Sequence, residues 1–269
     1  MTNRTEYRPV EQHTSEVRPP ARRPSAAHWP IRSASLTAGI ALLLMSAVAI
    51  LGNVVVIDGL VAEGDATRTA ANIMGSEGLF RLGIASLVIV VALDVVVAWA
   101  LFRVFSPVNT SLSMLAATLR LVYSGVLMVA IGQLLGVIRL LSDDSNLGIL
   151  GADQLKAEAM VGITAFNDIW YVGQFLFGLH LLVIGYLAYR SGYVPRVLGV
   201  LLAISGLGYA TDSLGAVLSQ GSWTDISTFT FIGEFLLALW LVIRARQIAA
   251  IASAVEAGSG TGRAIEVNA

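Results

Sequence analysis

Over residues 34–57, 79–103, 112–140, 161–189, 196–218 and 226–244 the chain is apolar on nearly every side, without the polar face of a surface helix. Each run holds about twenty residues or more, enough for a helix to cross a hydrocarbon core of about 30 Å. The pattern predicts six transmembrane spans, and an even number places both termini on one side of the bilayer. Residues 1–32 carry five of the seven prolines and six arginines, with no apolar period. They read as a disordered tail and not as a cleavable signal peptide. The expected organisation is a tail over 1–32, a six-helix membrane domain over 33–245, and a second flexible tail over 246–269.

Between the spans, the polar residues predict orientation and turns. Arg4, Arg8, Arg18, Arg22, Arg23, Arg32, Arg103, Arg190, Arg196, Arg244 and Arg246 all fall on the side of the termini. The other side carries Asp58, Glu63, Asp65, Glu77, Asp143, Asp144, Asp153, Glu158 and Asp225 against Arg68, Arg139 and Lys156. Cytoplasmic segments retain basic residues, so both termini are expected in the cytoplasm. In "GDATRTAANIMGSEG", Asp65 sits where a helix N-cap belongs and Gly75 where the helix would stop, which predicts a short helix at the outer interface. "YRSGYVPR" predicts a tight turn between spans four and five, with Tyr189 and Tyr193 at headgroup level.

Composition agrees with the bilayer as solvent and removes several kinds of chemistry. Hydrophobic residues make up 56% and charged residues 13% of the 269, against about 25% charged in ordinary soluble domains. A net charge of −1, with scattered basic residues, argues against nucleic-acid binding. There is no cysteine, and of the three histidines His13 and His28 lie in the tail, so a three-histidine zinc site cannot form. No metal site, cofactor or catalytic nucleophile is expected.

Ionisable side chains inside spans are costly and need a partner or a purpose. Counting about 1.5 Å per residue from the span ends places Asp94, Arg120 and His180 at one level toward the cytoplasm. Asp168, Asp212 and Glu234 fall in a second, outer layer, with Gln133 and Gln174 near it and Arg81 as the nearest cation. Asp168 and His180 are twelve residues apart on one helix, about 18 Å, too far for one small site. The inner layer reads as an ion pair with a histidine beside it. The outer acids read as a cluster with too few cations. Ser205, Gly208, Asp212, Gly215 and Ser219 form a small polar stripe expected to face the bundle, and Gly132 and Gly136 form a GxxxG that permits close helix approach.

The blocks "ANIMGSEGLFRLGIAS", "DVVVAWALFRVFSPVNTSLSMLAATLRLVYSG" and "FGLHLLVIGYLAYRSGYVPRVLGVLLAISGLGYATDS" resemble the bacterial membrane proteins grouped as domain-of-unknown-function family 4386. Glu77, Arg81, Asp94, Arg120, His180, Arg190, Pro195 and Asp212 are the polar landmarks of that likeness, which extends over about residues 35–245. It implies an all-α, polytopic helix bundle in a bacterial inner membrane and no particular reaction. Three functions stay open. The first is binding or movement of a small solute or ion through the polar interior. The second is an intramembrane enzyme acting on lipid, with His180 or Asp168 as acid or base. The third is a structural or regulatory module whose charges only specify packing within the lipid bilayer, with the basic tail touching anionic lipid or a cytoplasmic partner.

Overall fold

A computed structural model describes residues 29–143, 145, 151–219, 223, 226, 232–252 and 254. The expected tails before residue 29 and after residue 254 lie outside the described residues, among which there is no strand. Helix α1 (Ile31–Ala49) continues as a π-helix (Ile50–Ile57) and a last turn (Asp58–Leu60). Then come α2 (Ala66–Gly75), α3 (Glu77–Phe105), α4 (Thr110–Ser142), α5 (Ala152–Arg190), α6 (Arg196–Leu218), α7 (Ile232–Ile243) and α8 (Ala245–Ala252). Among the described residues, five helices are long and apolar enough to cross a membrane, or six if the bent pair α7–α8 counts as one span.

The long helices pack in chain order. Helix α1 lies against α3, α3 against α4, α4 against α5, α5 against α6 and α6 against α7, which returns to α1 and closes a ring. Large apolar side chains such as Ile89, Val96, Trp99, Val129 and Leu207 point outward, as expected where lipid is the solvent. Helix α2 is capped by the Asp65 carboxylate, which accepts from the Arg68 amide at 2.8 Å, and it packs on α5.

The α5–α6 hairpin has the most extensive helix contact and the closest approach. Gly178 and Gly185 on α5 meet Gly206 and Gly199 on α6, each pair one heptad from the next. A Cβ on Gly178 would lie 2.6 Å from the Gly206 carbonyl oxygen, and one on Gly185 would lie 2.7 Å from that of Gly199. Without hydrophobic drive between helices in lipid, such backbone contact supplies the packing energy. The GxxxG of Gly132 and Gly136 plays no such part, since a Cβ on either would meet open space. The turn itself needs Gly192 in the left-handed region, at φ 73°, and Pro195 precedes the first residue of α6.

At this arginine-rich end the ring is closed by side chains. Tyr193, expected at headgroup level, is buried against the other helices at this end: its hydroxyl donates across the bundle to the Val104 carbonyl at 2.6 Å. Its ring stacks on Phe105, and its own carbonyl accepts from Trp240 Nε1 at 3.1 Å. Helix α7 then turns by 81° into α8, whose Ile248 and Ala252 are buried. Residues 246–252, read from the sequence as the start of a second tail, thus lie in a helix with an apolar face to bury.

Candidate functional site

Arg120 is the largest fully buried side chain. On α4 it belongs to the inward stripe Ser113, Ala116, Arg120, Ser124 and Leu127, whose steps of three and four keep one face turned to the ring's interior. Its Nε donates to Asp94 Oδ1 on α3 at 2.7 Å, and its Nη1 donates to Glu234 Oε1 on α7 at 2.7 Å. Nη1 also lies 3.2 Å from His180 Nε2 on α5, and Nη2 lies 3.6 Å from the Met45 sulfur on α1. Five of the six ring helices therefore converge on one guanidinium.

His180 Nδ1 lies 2.8 Å from the Ala116 carbonyl oxygen. A carbonyl only accepts and a guanidinium only donates, so Nδ1 carries the proton and Nε2 accepts: the ring is neutral and both its nitrogens are engaged. Asp94, Arg120 and His180 are sealed from solvent, whereas the Glu234 side chain keeps 19% of its surface exposed.

One helical turn further from the arginine-rich end is an aromatic layer. Phe177 lies 5.3 Å from the guanidinium carbon, 4.9 Å from the Tyr123 ring and 5.2 Å edge-on from Tyr209 of α6. Trp170 Nε1 donates to the Tyr123 hydroxyl at 3.0 Å. Gly173 leaves no room for a ligand, because Val126 and Tyr123 fill the space beside it.

The structure brings Asp94, Arg120 and His180 together and adds Glu234, which does not join an outer layer. Arg120 is long enough to bridge levels that a count of backbone rise keeps apart. The outer acids do not assemble. Asp168 is exposed, 22 residues from Arg190 along α5, which is about 33 Å and places it near the far edge of a hydrocarbon core. Asp212 is buried but serves its own loop, with Oδ1 accepting from Trp223 Nε1 at 2.9 Å and from the Ile226 amide at 3.0 Å. Arg81 pairs with Glu77 on the same helix at 2.7 Å instead of with the outer acids. Gln133 is half-buried on α4, and the buried Gln174 Oε1 has no hydrogen-bond donor among the described residues. Ser205, Gly208, Asp212 and Gly215 are buried, Gly215 beneath the Trp223 ring. Met45, Phe177 and Tyr209 carry no signal that separates them from ordinary apolar positions. Among the described residues, no group of three metal-ligating side chains comes together.

A family model described as "Domain of unknown function (DUF4386)" matches residues 37–245. A chain from Archaeoglobus fulgidus, described as "Uncharacterized protein", is 32% identical over 170 residues, which is 63% of this chain and 88% of the relative. The likeness thus extends to an archaeon. No solved structure matches the chain.

Proposed function

The chain belongs to the DUF4386 family, and from that premise we propose a multi-pass inner-membrane protein, both termini cytoplasmic, that binds or carries a small solute or ion through its polar interior. The reading rests on one observation: two carboxylates from different helices share a single buried guanidinium. A pair that only fixes helix register needs one acid per arginine. A second acid brings a further desolvation cost that packing does not call for. The cluster also lies about ten residues, or roughly 15 Å, from the ends of α4 and α5, half-way through a hydrocarbon core, where ionisable groups belong to pathways or pairs. Arg32, Arg103, Arg190, Arg196 and Arg244 at one end support the orientation.

A lipid-acting enzyme has less support. Both nitrogens of His180 are committed, and Asp168 stands apart on an exposed face. The test is reconstitution of the full chain in liposomes, as wild type, Asp94→Asn and Glu234→Gln, against a panel of small cations, anions and neutral solutes. Binding or flux in the wild type that falls at least tenfold in either variant is expected. A wild type that binds and moves none of them, or variants equal to it, refutes the reading.

A further inference from the structure

We infer that the cluster holds a single exchangeable proton, shared by Asp94 and Glu234 across Arg120 and exchanged on the Glu234 side. This deepens the reading above and rests on it, since it names the ion that the site takes.

The first step is a charge count. The groups that face the cluster are Met45 from α1, Asp94 from α3, Arg120 and Tyr123 from α4, Phe177 and His180 from α5, Tyr209 from α6 and Glu234 from α7. Arg120 is the one cation among them. His180 is neutral by its hydrogen bonds, and the two tyrosines are neutral phenols. With both carboxylates ionised the cluster would carry one uncompensated negative charge in a largely buried site. Buried sites answer such a charge by taking up a proton or a cation.

Packing favours the proton. Phe177 covers one face of the guanidinium at 5.3 Å, Met45 sulfur lies 3.6 Å from Nη2, and the Arg120 and Asp94 side chains are 0% and 2% exposed. A metal or ammonium ion needs a cage of oxygen ligands and room to sit, whereas a proton needs one carboxylate oxygen. Exchange requires a route, and Glu234, the one partly exposed side chain of the four, is the member placed to exchange. Protonation there would turn an ion pair into a neutral hydrogen bond. It would loosen the tie between the centre and α7, which packs against α1 and α6 and ends in the 81° bend.

The experiment is an infrared pH titration of the purified full-length protein in lipid nanodiscs, following the C=O stretch of protonated carboxyl groups. The wild type is expected to show one reversible band of a buried carboxylic acid. Asp94→Asn and Glu234→Gln are each expected to lose it, because either variant leaves a one-to-one pair with Arg120. Glu234→Asp retains both acids and is expected to keep the band, shifted in position. A folded Glu234→Asp protein without the band overturns the assignment, and so does a band that persists in both neutral variants or is absent from the wild type. Solute assays on the same samples separate the two readings. Solute binding without any such band sinks the proton alone, and a band that disappears as expected without solute binding supports the proton and counts against the solute.

Discussion

His180 Nδ1 and the Ala116 carbonyl oxygen lie 2.8 Å apart, one helical turn before Arg120 on α4, so the histidine presents its lone pair, not a proton, to the guanidinium. Replacing His180 by Ala strands an arginine N–H and opens a void. The expected loss is about 2–4 kcal/mol of stability, the sum of an unpaired buried donor and a small cavity. His180→Phe fills the space but not the hydrogen bond and should fall between. Asp168→Ala, on an exposed face, should change stability by no more than about 0.5 kcal/mol. Denaturant unfolding in mixed micelles compares the three; equal midpoints for His180→Ala and Asp168→Ala would contradict this account.

Gly178 and Gly206 touch backbone to backbone. Alanine at either forces the α5–α6 hairpin apart and should cost about 1–3 kcal/mol, the usual range for overpacking. Gly132→Ala and Gly136→Ala place their methyl groups in open space, so they should be neutral or gain up to about 1 kcal/mol from helix propensity. The same unfolding assay separates the two sets.

These two sites mark how far the order of residues alone is legible. Six apolar runs and the Asp65 cap follow from length, period and turn chemistry, which are local. The common level of Asp94, Arg120 and His180 follows from helical rise alone. Partners are another matter, because lipid is as apolar as the bundle interior and an apolar pattern does not say which face meets which helix. Hence the seven-residue spacing of Gly178, Gly185, Gly199 and Gly206 passes unnoticed beside a more familiar GxxxG. Glu234 sits near the middle of the sixth run, where counts from the two ends differ little, and only the reach of Arg120 decides its layer. Asp212 takes donors from 11 and 14 residues onward, separations that no helical or strand period predicts.

Asp143, beyond the last turn of α4, accepts from both the amide and the hydroxyl of Ser145, at 3.0 and 2.6 Å. The side-chain bond, then the backbone bond, holds this carboxyl below its ordinary value of 3.8. A depressed folded value means that the contribution is present above the unfolded value and is lost as pH falls through the folded one. Protection of the amides at the end of α4, relative to their intrinsic exchange rates, should therefore be constant near neutral pH and fall only in acid. In Ser145→Ala the acid onset should move to higher pH. An onset unaffected by that change would disprove the assignment.

Asp212 fastens its loop through Trp223 Nε1 and the Ile226 amide, while the Trp223 ring packs over Gly215. Asp212→Asn keeps one oxygen to accept these bonds, whereas Asp212→Ala keeps none and leaves a buried gap. Collisional quenching of Trp223 fluorescence should rise strongly in the alanine variant and modestly in the asparagine one. To isolate Trp223, the other four tryptophans are replaced by phenylalanine in all samples. If both variants match the parent, Asp212 is not the fastener.

Arg120 holds two acids, and that asymmetry gives its variants an unusual order. Arg120→Gln leaves Asp94 and Glu234 facing each other without a cation, so it should cost about 3–5 kcal/mol, as when one partner of a buried pair is lost. Asp94→Asn and Glu234→Gln each leave a balanced pair and should cost less. Combining Arg120→Gln with both neutral replacements removes every charge at once and should recover part of the single-variant loss, although adding substitutions normally adds damage. The measurement is a cycle of unfolding free energies over these four proteins, with wild type as reference. Additive losses would mean that the three side chains do not act as one electrostatic unit. A triple variant more stable than Arg120→Gln alone is the outcome that the shared guanidinium requires.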